Sequence, residues 1–201
     1  MTGNGTEIIV IEIGCANTAS VLFALERLGA RATLSSDPAE IAAAQKVVLP
    51  GVGAAGFAMH RIRELGLYEA IRGVTAPLLG VCLGQQLLFD SSDEGDVECL
   101  GLIPGRVTKM EATPELVVPH MGWNQLAVTR PDPLNAGVQD GDYAYFVHSF
   151  ACPVTEHTLV TSTYGQPFAA MVRKDNVWGC QFHPERSSTV GAKILENFVR
   201  L

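Results

Sequence analysis

The chain has 201 residues, 47% hydrophobic and 17% charged, with a formal net charge of −7. That is enough apolar mass for one well-filled core and about one domain. No apolar run approaches the ~18 residues of a membrane span, and an acidic balance without a Lys/Arg cluster disfavours a nucleic-acid surface. Cys15, Cys82, Cys99, Cys152 and Cys180 are scattered, with no C-x-x-C pair. This argues against a disulfide framework or zinc ribbon and for a reducing, cytoplasmic setting. The first residues, Met1-Thr-Gly-Asn-Gly-Thr-Glu7, lack the basic-then-apolar form of a secretory signal.

The first half alternates strand and helix. Residues 8–13 are short, β-branched and almost wholly apolar, as in a buried strand. A loop at Gly14-Cys15-Ala16-Asn17 leads to a helix over 20–28 that Gly29 stops. A short strand at 32–34 precedes Asp37-Pro38, which fits an N-cap with proline in the first turn of a helix to about Ala44. Residues 46–49 form the next strand, ended by Pro50-Gly51-Val52-Gly53. One helix is predicted over 56–72, then a strand over 77–81. Repeated units of this kind imply an α/β fold, an open, mostly parallel sheet with helices on both faces. In the second half, runs at 126–128, 143–147, 158–161, 168–172 and 177–181 read as antiparallel or mixed strands added to that sheet. A helix over 189–199 closes the chain. With no repeat, low-complexity segment or linker, residues 1–201 read as a single domain.

Gly80-Val81-Cys82-Leu83-Gly84 places a cysteine between glycines, after an apolar run and before a helical one. This is the sequence form of a nucleophile elbow, a strand–turn–helix that lifts a reactive side chain off the backbone. A cysteine there meets the positive end of a helix dipole, which suits a nucleophile that must carry charge. Gln181-Phe182-His183-Pro184-Glu185 supplies a base for the thiol proton and a carboxylate to orient it. Together they predict a Cys82-His183-Glu185 triad for acyl transfer. His60, His120, His148 and His157 are the rival bases. Acyl transfer needs N–H donors for the developing oxyanion. Gly51, Val52 and Gly53 follow a parallel strand, at the edge where ligands bind, and the N–H of Leu83 is the second donor.

On these motifs the chain resembles the class I (triad) glutamine amidotransferases over nearly its whole length. Val118-Pro-His-Met-Gly-Trp-Asn-Gln125, Tyr145-Phe-Val-His-Ser-Phe150 and the Glu12 to Asn17 loop narrow the likeness to the glutaminase subunits of imidazole glycerol phosphate synthase. The resemblance implies a flavodoxin-like sheet and hydrolysis of glutamine through a Cys82 glutamyl thioester. It implies no cofactor and no metal. Ammonia would pass to a (β/α)₈ barrel synthase subunit in a heterodimer of histidine biosynthesis. By the same resemblance Gln86, Glu94, Ser149 and Phe150 meet the glutamine substrate. Asn17, Met121, Trp123, Tyr145 and Arg186 lie near the partner interface and ammonia exit, Trp123 having a core position as its alternative. The first loop departs from the family's Asp-Tyr-Gly-x-Gly-Asn-Leu, keeping Asn17, and Arg186 stands where lysine is usual. The competing readings are another triad glutaminase, a free-standing γ-glutamyl hydrolase or cysteine peptidase, and a binding subunit without catalysis. The last would be expected to have lost a triad member, and all three are present.

Overall fold

The computed structural model describes residues 5–14 and 18–201. The first half runs β1 (Glu7–Ile11), α1 (Thr18–Arg27), β2 (Arg31–Ser35), α2 (Pro38–Ala43), β3 (Val47–Gly51), α3 (Ala55–Glu64), α4 (Leu67–Arg72), β4 (Leu78–Cys82) and α5 (Leu83–Leu87). Asp37 caps α2 as expected, its Oδ1 accepting the Ala39 N–H at 2.7 Å. The helix expected over 56–72 is two helices. The break is at Leu65-Gly66, where Gly66 takes a left-handed φ of 69° that no helix continues through.

The second half adds β5 (Phe89–Ser92), β6 (Val97–Glu98), β7 (Ile103–Lys109), β8 (His120–Gln125), β9 (Ala127–Val128), β10 (Tyr143–His148), β11 (Phe150–Ala151), β12 (Thr158–Tyr164), β13 (Gln166–Lys174) and β14 (Val177–Cys180). A single 3₁₀ turn (Pro184–Arg186) and α6 (Ser188–Arg200) complete it. The main sheet has the order β2-β1-β3-β4-β14-β13-β12-β9, parallel from β2 to β14 and antiparallel beyond. Strands β3 and β4 are buried at every position, so their side chains feed two cores in alternation. Val48, Leu79 and Val81 pack with α1 and α6 on one face; Val47, Leu49 and Leu78 pack with α2, α3 and α4 on the other.

Two parts differ from the sequence reading. The run at 143–147 does not join the main sheet; as β10 it pairs with β8 in a separate antiparallel ribbon. A third sheet, β11-β7-β5-β6, lies in a stretch where no strand was expected. Its strands are half-polar, with exposed Asp90, Glu98, Pro104 and Arg106, so they carry little of the apolar pattern from which strands are read. No helix among the described residues is long and apolar enough to cross a membrane.

Candidate active site

The turn from β4 to α5 is tight. Cys82 is held at φ 56°, ψ −112°, a left-handed backbone that a non-glycine residue occupies only when its surroundings enforce it. The enforcement comes from close packing. A Cβ on Gly80 would stand 2.6 Å from the Gly84 carbonyl oxygen, and one on Gly84 only 1.8 Å from that of Leu49. Glycine at both positions lets α5 lie directly on β3 and β4, leaving Cys82 at the crest.

Strand β14 runs parallel beside β4, Cys180 opposite Val81, so the chain beyond it emerges at the same sheet edge. Three residues on, His183 opens the 3₁₀ turn with Pro184 at its first position. The turn brings Glu185 back under the ring, and Glu185 Oε1 lies 2.9 Å from His183 Nδ1. Both side chains are almost fully buried, 9% and 3% exposed. The backbone of His183 is fixed as well: its N–H donates to the Tyr145 carbonyl at 3.0 Å, and its carbonyl accepts from Ser187 Oγ at 2.7 Å. His183 Nε2 is buried with no hydrogen-bond partner, as is Glu185 Oε2. Burial works against the imidazolium, but the charge that Cys82 and Glu185 can carry outweighs it and holds the ring's pKa well above the ordinary range.

Cys82 and His183 line one open cavity of about 350 Å³ with Val52, Gly53, Leu83, Gln86, Glu94, Pro119, Val147, His148, Ser149 and Phe150. The structure thus brings Cys82 and His183, with Glu185 behind the ring, together with the Val52-Gly53 turn and the expected substrate residues. Gly53 has a φ of 95°, so its peptide is set by a backbone that glycine alone adopts readily. Gly51 differs: it pairs with Cys82 in the β3–β4 ladder, packs under Leu83 and does not line the cavity. Glu94 also caps α3, its Oε2 accepting the Ala55 N–H at 2.8 Å.

Among the expected interface residues, Met121 and Trp123 are 68% and 52% exposed on β8, so Trp123 is not a core residue. Tyr145 lies across the ribbon, its ring edge-on to Trp123 at 6.0 Å, with the Arg186 guanidinium over it at 4.8 Å. Asn17 lies outside the described residues, as does Cys15. The rival histidines separate clearly. His60 is exposed on α3 and His157 half-buried away from the cavity. His120 and His148 are buried against each other, Nδ1 to Nε2 at 3.0 Å, and burial pushes each down to about 4, which leaves them neutral at pH 7. Two buried polar residues have a place at the site that the sequence did not assign them: His148, considered only as a rival base, walls the cavity, and Gln181 brings its Nε2 within 3.8 Å of Cys82 Sγ. Their signal was position, one preceding Ser149-Phe150 and the other two residues before His183.

A cysteine at a strained elbow, a carboxylate-backed imidazole and an open cavity with both polar and apolar walls suit transfer of an acyl group. Comparison with known proteins agrees. Residues 9–201 match the family of class I glutamine amidotransferases, and the chain belongs to it. It is 50% identical over 98% of both chains to the imidazole glycerol phosphate synthase subunit HisH of Xanthomonas axonopodis pv. citri. Subunits of the same name from Shewanella oneidensis and Vibrio cholerae are 47% and 48% identical, covering 97% and 96% of this chain and 96% and 98% of theirs. Among solved structures, a glutamine amidotransferase matches with a TM-score of 0.73 at 19% identity, covering 96% of this chain and 97% of that one. A chain of PurLQS from Thermotoga maritima matches with a TM-score of 0.72 at 19% identity, covering 98% of each. These two establish the likeness of fold.

Proposed function

We propose that this chain is the glutaminase subunit of an imidazole glycerol phosphate synthase, and that its whole length is one glutamine amidotransferase domain. Cys82 attacks the side-chain amide of glutamine. His183 takes the thiol proton through Nε2, then delivers it to the departing ammonia. Glu185 holds the ring by Nδ1 and offsets its charge. Water, deprotonated by the same imidazole, cleaves the glutamyl thioester to glutamate and restores the thiol. The N–H of Leu83 and one from the Val52-Gly53 peptide meet the oxyanion, each such donor being worth on the order of 10²–10³ in rate. Gln86, Glu94, Ser149 and Phe150 receive the amino-acid head group. Met121, Trp123, Tyr145 and Arg186 dock a (β/α)₈ barrel synthase, with Asn17 assigned to the same surface. Ammonia passes to that subunit in a cytoplasmic heterodimer and enters imidazole glycerol phosphate and aminoimidazole carboxamide ribotide.

The observation that carries this reading is the unpartnered His183 Nε2, beside the Cys82 cavity and backed by Glu185 at 2.9 Å. The identities near 50% with subunits of that synthase select among glutaminases. The test is glutamine hydrolysis by this chain with and without a matching barrel synthase. Strong stimulation by the synthase is expected. Full activity alone would favour a free-standing hydrolase, and none in either case would favour a binding subunit.

A further inference from the structure

The main-chain carbonyl of Phe150 is clamped from two sides, by Gln86 Nε2 at 2.9 Å and His148 Nδ1 at 2.8 Å. A carbonyl oxygen only accepts, so both side chains are oriented without ambiguity. Gln86 must present its amide nitrogen, which also donates to Gln181 Oε1 at 3.0 Å. Gln181 therefore turns its oxygen toward Gln86, and its Nε2 meets Cys82 Sγ at 3.8 Å. The Cys152 thiol approaches the same Gln181 oxygen at 4.0 Å, a second donor to it. Flipping the Gln181 amide would set two NH₂ groups face to face in a site where Gln181 is fully buried and Gln86 only 4% exposed.

On the other side, a neutral His148 that donates through Nδ1 accepts through Nε2. His120 Nδ1 donates there at 3.0 Å, and Asn124 Nδ2 lies 3.3 Å from His120 Nε2. The Phe150 carbonyl is thus held by groups whose own polarity is settled.

We propose that Gln181 is a further catalytic residue, whose amide N–H, aimed by the Phe150 carbonyl through Gln86, donates to the Cys82 sulfur and stabilises its thiolate. This rests on Cys82 being the nucleophile. An N–H donor to an anionic acceptor is charge-assisted and strengthens as the sulfur ionises. It gives the thiolate a fixed donor, whereas the proton on His183 must move during the reaction. The other titratable groups around the sulfur are His183 with Glu185 behind it, His148 and Glu94 in the cavity, and the buried Cys152 and Cys180 thiols.

The test is alkylation of Cys82 by iodoacetamide in the full chain, read on the Cys82 peptide by mass spectrometry from pH 6 to 10. In Gln181→Met, which keeps the volume and removes the donor, alkylation at neutral pH is expected to fall about tenfold, the worth of a hydrogen bond to a charged acceptor. The rates should converge with wild type at high pH, where the thiol ionises without help. Equal rates at neutral pH would overturn the proposal, and so would a loss of the same size at every pH, which means altered access. If Gln181→Met does not fold, Gln86→Met, which frees the Gln181 amide to turn, carries the same expectation and the same refutations. Glutamine plays no part in this assay, so a wild-type chain that fails to hydrolyse glutamine with its synthase refutes the proposed function and leaves the Gln181 result readable.

Discussion

Replacing Gly84 with alanine tests the elbow directly. The new Cβ would stand 1.8 Å from the Leu49 carbonyl oxygen, where contacts under 3.0 Å are essentially never found, so α5 must retreat from β3 by about 1.2 Å. The obstacle is main chain in a strand buried at every position, which cannot give way as the tip of a long side chain would. Overpacking of this kind costs typically 1–3 kcal/mol and occasionally more, and a backbone clash belongs at the upper end, about 3 kcal/mol. At roughly 2–4 °C per kcal/mol for a chain of this size, the melting temperature should fall by roughly 6–12 °C. The same displacement moves the Leu83 N–H and the Cys82 sulfur, and a misplacement of about 1 Å costs on the order of 100-fold in rate. Gly56→Ala is the control: its Cβ would come no nearer than 4.0 Å to another segment. In a helix it should stabilise by about 0.4–1 kcal/mol through the unfolded chain. Thermal melts and glutamine turnover with the synthase measure both effects. A Gly84→Ala protein that melts with wild type and keeps its turnover would refute the close-approach argument.

Cys82→Ala should abolish glutamine hydrolysis while synthesis from added ammonia survives; retained hydrolysis would remove Cys82 from the chemistry. His183→Asn should lose more activity than Glu185→Gln, and the double variant should be hardly worse than His183→Asn alone, because triad members act as a unit; an equal or larger loss at Glu185 would make it the base. Trp123→Ala should weaken synthase binding by more than ~1–2 kcal/mol, with little change in melting temperature because the ring is half exposed; a large loss of stability with unchanged binding would contradict the docking role. His120 and His148 sit near 4 when folded against 6.5 for an ordinary histidine. The unfolded chain therefore binds more protons between those values, and stability should fall as pH drops from 6.5 to 4. Urea midpoints across that range should fall less steeply for His148→Gln than for wild type, and parallel slopes would exclude the pair as the cause.

The βα alternation of the first half and its buried strands were legible because both faces of that sheet are covered, which forces near-continuous apolar runs at strand length. The elbow was legible for a local reason: a turn that allows no Cβ at either side of the nucleophile requires Gly80 and Gly84. The helix break at Gly66 and the strands β5 to β8 were not legible. The first depends on one residue taking a left-handed φ inside an otherwise helical pattern. The second are half-polar strands, stabilised by pairing with one another and with β10 and β11 rather than by an apolar period of their own. The second half's apolar runs pointed to strands but not to which sheet each joins, since pairing is settled by register and crossover geometry. Only the folded chain decided that Trp123 faces outward, that Gly51 lies beneath the cavity rather than in it, and that His148 and Gln181 stand beside the nucleophile. The family resemblance placed residues 86 and 150 at the substrate and residue 181 just before the catalytic histidine, but no periodicity or spacing showed that their polar groups interlock. They meet because β14 lies parallel to β4 while the β8–β10 ribbon folds over the same edge, and because buried amides must satisfy every donor and acceptor they bring with them.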